Sequence, residues 1–167
     1  LTVRVSVLFA FIWILSITGC FYSFTGSSVP PHLKTIAIPL FDDQSGSGEP
    51  GMREKLTNSL LERFRSDNNF EITDKNRADC ILEGNIVSMP DQPQTISTGE
   101  TVTSRRVTLS VNATFQDMKL RKKIWEKQFT AWGDYQIGGG PAQRQAGIDA
   151  AIEKLSEDIL LEAVSGW

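Results

Sequence analysis

Residues 101–117 read TVTSRRVTLSVNATFQD, and their alternation decides the fold. Val107, Leu109, Val111, Ala113 and Phe115 fall on one face, whereas Arg106, Thr108, Ser110, Asn112 and Thr114 fall on the other. Successive side chains of a strand point to opposite sides, so a two-residue period predicts a strand. Because one side is apolar and the other polar, it belongs to an antiparallel sheet that packs a core on one face only.

Downstream, residues 118–123 form a basic connection. Residues 124–134 predict the next strand, with Trp125, Phe129 and Ala131 alternating. Gly138-Gly139-Gly140-Pro141 breaks that pattern. Ile148, Ile152, Leu155 and Ile159 then recur at helical spacing to about residue 164, with Gly166 suited to the helix end. Upstream lie a Pro- and Gln-containing loop at 90–99, a strand at 79–89, a short strand at 70–73 and a turn at 67–69. Met52, Leu56, Leu60, Leu61 and Phe64 predict a helix over 50–66, opened by Pro50. Residues 42–49 read as a loop. Residues 34–41 read as a strand with Ile36, Ile38 and Leu40 on one face, and Pro39 places it at an edge or ends it. The order β-α-β-β-β-β-α predicts an α+β, two-layer sandwich. Two helices would pack on one face of a mixed, mainly antiparallel sheet, in a single domain over 34–167 without internal repeats.

The N-terminus has a different character. Residues 5–17 carry no charge, follow Arg4 and lead into Ile17-Thr18-Gly19-Cys20. The run is short for a spanning helix, which needs about 20 apolar residues, and has the layout of a secretory signal. Its end resembles the lipobox of bacterial lipoproteins. There a cysteine thiolate takes a diacylglyceryl group, and the amine freed by cleavage takes a further chain. The expectation is a signal peptide over 1–19, lipidation at Cys20 and an extended tether over 20–33, stiffened by Pro30-Pro31. Two or more acyl chains anchor stably where one does not. An ordinary signal peptide with a fortuitous Cys, or an uncleaved anchor helix, are the other readings. Phe21, rather than Asp, after the cysteine is compatible with transfer to the outer membrane.

Composition narrows the function classes. The chain is 40% hydrophobic and 22% charged, with a formal net charge of −3. That balance argues against general nucleic-acid binding, which needs clustered cation excess. The two cysteines are Cys20 and Cys80. A disulfide between them would compete with lipidation, and Cys80, in an apolar strand, is expected to pack as a small hydrophobe. The lone histidine, His32, lies in the Pro-rich segment, so a triad lacks its base and a histidine metal site its second ligand. Asp42-Asp43 are expected as loop acids. The triple glycine lacks phosphate-loop spacing and the following Lys-Ser/Thr. No catalytic residue, cofactor or metal site is assigned.

The basic residues carry more information. Arg105-Arg106 lies early in the long strand, and Lys119, Arg121, Lys122 and Lys123 cluster at the connection that follows it. If the two strands form a hairpin, the lysines sit at its tip and the arginines towards the opposite end, as two separate patches. Such charges serve either to keep sheet edges solvated or to meet an anionic partner.

Several stretches resemble one family: residues 19–26 (GCFYSFTG), Pro30-Pro31-His32, residues 34–41 (KTIAIPLF), residues 78–84 (ADCILEG), the 107–115 and Trp125 strands, and the AIEKLSEDI helix. Together they are similar to the LptE family of lipopolysaccharide-assembly lipoproteins, in its Bacteroidota/Chlorobi-like branch. The resemblance implies an outer-membrane lipoprotein with an α/β sandwich, anchored by lipid on the periplasmic side. It further implies a non-enzymatic plug and assembly partner of the LptD β-barrel that binds lipopolysaccharide partly through basic residues. Arg105, Arg106, Lys122 and Lys123 are the candidate contacts here, chosen by charge and placement. An adaptor lipoprotein of another envelope or secretion channel is the second reading, and a periplasmic hydrolase using Asp42 or Asp43 a third.

Overall fold

A computed structural model of the chain describes residues 29–94, 104–165 and 167. The signal segment, Cys20 and most of the expected tether lie outside the described residues. The elements are β1 (Thr35–Ala37), β2 (Asp42–Asp43), α1 (Met52–Asp67), β3 (Glu71–Ile72), β4 (Cys80–Ser88), β5 (Asp91–Gln94), β6 (Ser104–Asp117), β7 (Lys122–Gln136), a 3-10 turn (Ile137–Gly139) and α2 (Gly140–Ser165). The architecture is the α+β sandwich that the alternation predicts: two helices on a mixed sheet.

The sheet runs β3-β1-β4-β6-β7. Pairings of β1 with β3 and β4, and of β2 with β4, are parallel; those among β4, β5, β6 and β7 are antiparallel. Two short strands lie where loops were expected. Pro39 interrupts the first strand, and the chain resumes pairing at Asp42-Asp43 against Asn85-Ile86. Past Pro90, Asp91–Gln94 continues along the edge of β6 that β4 has left. Proline supplies no ladder N–H, so each break marks where one strand becomes two collinear pieces. The interruption at Pro39 also shifts the burial pattern. Leu40, expected on one face with the buried Ile36 and Ile38, is 50% exposed, and Phe41 is buried in its place.

Every residue of the apolar face of β6, from Val107 to Phe115, is at most 1% exposed. They share one core with Leu56, Leu60 and Phe64 of α1 and Ile148, Ile152, Leu155 and Ile159 of α2. Fully burying a side chain of this size contributes about 1.5–3 kcal/mol, and this layer is the main stabilising term. The two helices also meet each other through Arg63–Glu153 (2.8 Å). Helix α1 begins two residues later than Pro50 suggests, because Gly51 adopts a left-handed conformation before it (φ 70°). Cys80 is buried and free, and donates to the Thr35 carbonyl (3.3 Å). Burial, reinforced by Asp79 and Asp117, pushes its thiol up to about 12. It is an inert core residue, as its strand pattern predicts.

Two close approaches fix how the layers pack. A Cβ on Gly133 of β7 would lie 1.9 Å from the Gly147 carbonyl oxygen of α2, and one on Gly84 would lie 2.4 Å from the Asn112 carbonyl oxygen. Gly133 lets the helix backbone descend onto the edge strand, and Gly84 leaves room for the Phe41 ring.

Candidate functional site

The hairpin β6–β7 carries all four candidate cations, and it separates them as the strand reading requires. Ser104 pairs with Gln136 at one end and Asp117 with Lys122 at the other. A bulge lies between, since Phe115 faces Trp125 whereas Gln116 faces Lys123, leaving Ile124 as the extra residue. Such a bulge raises the local twist and turns the tip relative to the sheet.

At the far end both arginines are engaged by acids. Arg105 donates through Nε to Asp91 Oδ1 and through Nη2 to the Asp91 carbonyl, each at 2.8 Å. The other Asp91 oxygen accepts from Tyr135 Oη (2.7 Å) and Arg144 Nε (3.1 Å), and Arg144 reaches Glu49 (2.6 Å). Burial opposes the charge on Asp91, but the bonds from Tyr135, Arg105 and Arg144 outweigh it and hold its carboxyl below the ordinary carboxylate range. Arg106 grips Asp134 with two parallel bonds of 2.7 and 2.8 Å and lies over the Trp132 ring, 5.1 Å from its centroid. Lys154 covers the same ring at 5.6 Å. Both arginines of this patch thus already carry an acidic partner.

The tip differs. Its turn, residues 118–121, is folded around Asp117, a buried carboxylate. Asp117 Oδ1 accepts the Leu120 N–H (2.8 Å), and Oδ2 accepts from His32 Nε2 (2.7 Å). Burial works against this charge too; the Leu120 amide and His32 overcome it and lower the carboxyl. Lys119 bridges the His32 carbonyl and Asp79 Oδ1, both at 2.7 Å. Asp79 Oδ2 also accepts the backbone N–H groups of Lys34 (2.8 Å) and Thr35 (3.1 Å). The Lys119 bond, followed by those two amides, brings Asp79 down to about 2. His32, expected as part of an extended segment, is therefore tied to the domain, and Leu33 beside it is buried in the core.

Of the remaining cations at the tip, Lys123 is paired with Glu126. Arg121 and Lys122 make no side-chain hydrogen bond or ion pair among the described residues. Next to them Leu120 is 66% exposed and Met118 40% exposed. The apolar pair was missed in the sequence because it sits inside a basic run that reads simply as polar; two hydrophobes alternating with Lys119 and Arg121 were the available signal. Chemically, the tip offers cations without an acidic partner among the described residues, beside apolar side chains, a combination suited to an amphipathic anion.

Among the described residues no group of three or more His, Cys, Asp or Glu could hold a metal ion. No helix among them is long and apolar enough to cross a membrane.

The fold recurs in solved structures of low sequence identity. Protein XCC0632 from Xanthomonas campestris superposes with a TM-score of 0.57 at 12% identity, covering 83% of this chain and 91% of that one. A PelC dodecamer from Paraburkholderia phytofirmans gives 0.56 at 12% identity, over 84% and 95%. A minor lipoprotein from Acinetobacter baumannii gives 0.53 at 16% identity, over 82% and 94%. These likenesses establish a shared fold. No curated protein matches the sequence. The family model for LptE, described as lipopolysaccharide-assembly, matches residues 33–162, from the buried Leu33 to the last turns of α2. The chain belongs to the LptE, lipopolysaccharide-assembly, family.

Proposed function

We propose that the protein is acylated at Cys20, held on the periplasmic side of the outer membrane, and binds lipopolysaccharide without catalysing a reaction. In this reading it is plug and assembly partner of an LptD-type β-barrel. Beyond family membership, the observation that carries the ligand is the tip: Arg121 and Lys122 have no acidic partner among the described residues, and Lys123 has only an exposed one. Phosphate groups on the lipid would bond these cations. Arg105 and Arg106 belong to the same proposal as a second contact set, but to serve it they must exchange Asp91 and Asp134 for the ligand.

Charge reversal tests the site. Lys122→Glu with Lys123→Glu should weaken lipopolysaccharide binding about tenfold or more, since charge-assisted bonds are lost and repulsion added. The circular dichroism spectrum should not change, because both side chains are exposed. Full-strength binding by the double variant would move the ligand elsewhere. Depletion of the protein should leave lipopolysaccharide at the inner membrane and the barrel misassembled. The second reading is an adaptor for a different envelope channel. It predicts co-purification with another channel and none with an LptD-type barrel.

A further inference from the structure

The described chain enters the domain beside the hairpin turn. Leu33 N–H bonds the Pro30 carbonyl (2.9 Å), His32 is held by Asp117 and its carbonyl by Lys119, and Val29 packs against the core. The segment upstream therefore joins the domain at the 118–121 end. The chain from Cys20 to Val29 reaches at most roughly 30 Å even fully extended. Along β6, the Ser104 end lies about 40 Å from the Asp117 end. On the reading that Cys20 is acylated, the tip end is held within that reach of the lipid, whereas nothing tethers the Ser104 end there.

That same end gathers partly exposed apolar side chains. Besides Leu120 and Met118, Trp167 is 37% exposed, with its ring 5.9 Å from Phe115, two residues before the turn-anchoring Asp117. Amphipathic aromatics, apolar side chains and cations at one level suit the headgroup region of a bilayer. Arg121 adds an independent sign. It holds a left-handed backbone conformation (φ 51°) that favours glycine or asparagine. A long cation at a strained turn position points to use of its side chain.

We infer that the 118–122 turn is a membrane-docking tip whose occupant is the surface of an anionic phospholipid bilayer. Arg121 and Lys122 bond headgroup phosphates, Leu120 and Met118 reach towards the acyl boundary, and the domain stands with its long hairpin rising from the membrane. Association of two tips is disfavoured by their like charge, and the oppositely placed arginines are neutralised by Asp91 and Asp134.

The test uses the protein purified from membranes and reconstituted in phosphatidylethanolamine–phosphatidylglycerol vesicles free of lipopolysaccharide. A dye is placed on Leu120→Cys or, at the opposite end, on Ile137→Cys; Ile137 is 46% exposed. Nitroxide-labelled lipid should quench the dye at position 120 severalfold more than the dye at position 137. Adding Arg121→Glu with Lys122→Glu should remove most of that difference. Equal quenching at both positions, stronger quenching at 137, a difference untouched by the charge reversal, or failure to associate with the vesicles would each overturn the proposal. The ligand reading stays separable. Loss of lipopolysaccharide binding with the quenching pattern retained removes only the ligand, and intact lipopolysaccharide binding with an unquenched tip removes only the docking.

Discussion

Arg121 and Asp79 show how single positions set the properties of the tip. Arg121 has a backbone conformation that costs a side-chain-bearing residue about 1–2 kcal/mol, part of which glycine returns through its freer unfolded state. Arg121→Gly should therefore raise the stability of the domain by about 0.5–1 kcal/mol in urea titration while weakening binding to anionic lipid. A less stable variant would mean that the arginine stem supports the turn. Asp79 ties together three segments: the start of β1, the chain before β4 and the turn lysine. Its folded carboxyl sits at about 2 against an ordinary 3.8, lowered first by Lys119 and then by the Lys34 and Thr35 amides. A depressed carboxylate stabilises the fold above the unfolded value and stops doing so as pH falls through the folded one. The contribution should be complete above about pH 5 and be lost as pH falls through about 2, with a size on the order of 1 kcal/mol after solvent screening. Asp79→Asn should flatten the acid limb of a stability–pH curve over that window; an unaltered limb would contradict the assignment.

At the scale of elements, the contact of β7 with α2 depends on a missing side chain. Gly133→Ala would push a methyl group against the Gly147 carbonyl, backbone that has nowhere to go. Overpacking of that kind costs about 1–3 kcal/mol, and here the upper part of the range is expected in a thermal or urea melt. Gly147→Ala meets only the Tyr135 ring at 3.2 Å and the Gly133 carbonyl at 3.4 Å. It also gains about 0.5–1 kcal/mol of helix preference. It should be near neutral, and a loss as large as that of Gly133→Ala would show that the helix cannot yield locally. The elements themselves were largely legible. The alternation of 107–115 and the helical spacing from Ile148 to Ile159 depend on local geometry alone, and the core contains both sets. The short strands β2 and β5 were not legible, since two- to four-residue segments with Asp, Gln and Pro have no period to detect and exist because β4 and β6 offer them an edge.

For the whole molecule, the two ends of one hairpin have opposite electrostatic designs. The Arg105 end is closed by Asp91, which joins β5 to β6, β7 and α2 through Arg105, Tyr135 and Arg144. Asp91→Ala leaves two guanidinium groups and a phenol with their shared acceptor gone, and should cost about 2–3 kcal/mol. That loss should appear in chemical denaturation, with lipopolysaccharide binding by the folded protein preserved if the tip is the contact. Tighter binding by a fully folded Asp91→Ala protein, whose Arg105 and Arg144 have lost the acid that occupies them, would instead put ligand at the Arg105 end. The tip end is open, with Arg121, Lys122, Leu120 and Met118 presented together beside the point where the N-terminal segment joins.

Periodicity by itself determined the long strands, the helices and the one-sided burial of the long hairpin, because side-chain direction follows from backbone geometry within a few residues. It also separated the cations into two groups, since hairpin pairing converts distance from the turn into distance along the sheet. Only the tertiary structure decided which cations are occupied. The acid that engages Arg105 lies 14 residues away and the one that engages Arg106 lies 28 residues away. His32 meets Asp117 across 85 residues. Charge neutralisation acts through space, over a few ångströms between groups that chain folding brings together, and a linear pattern holds no record of those distances.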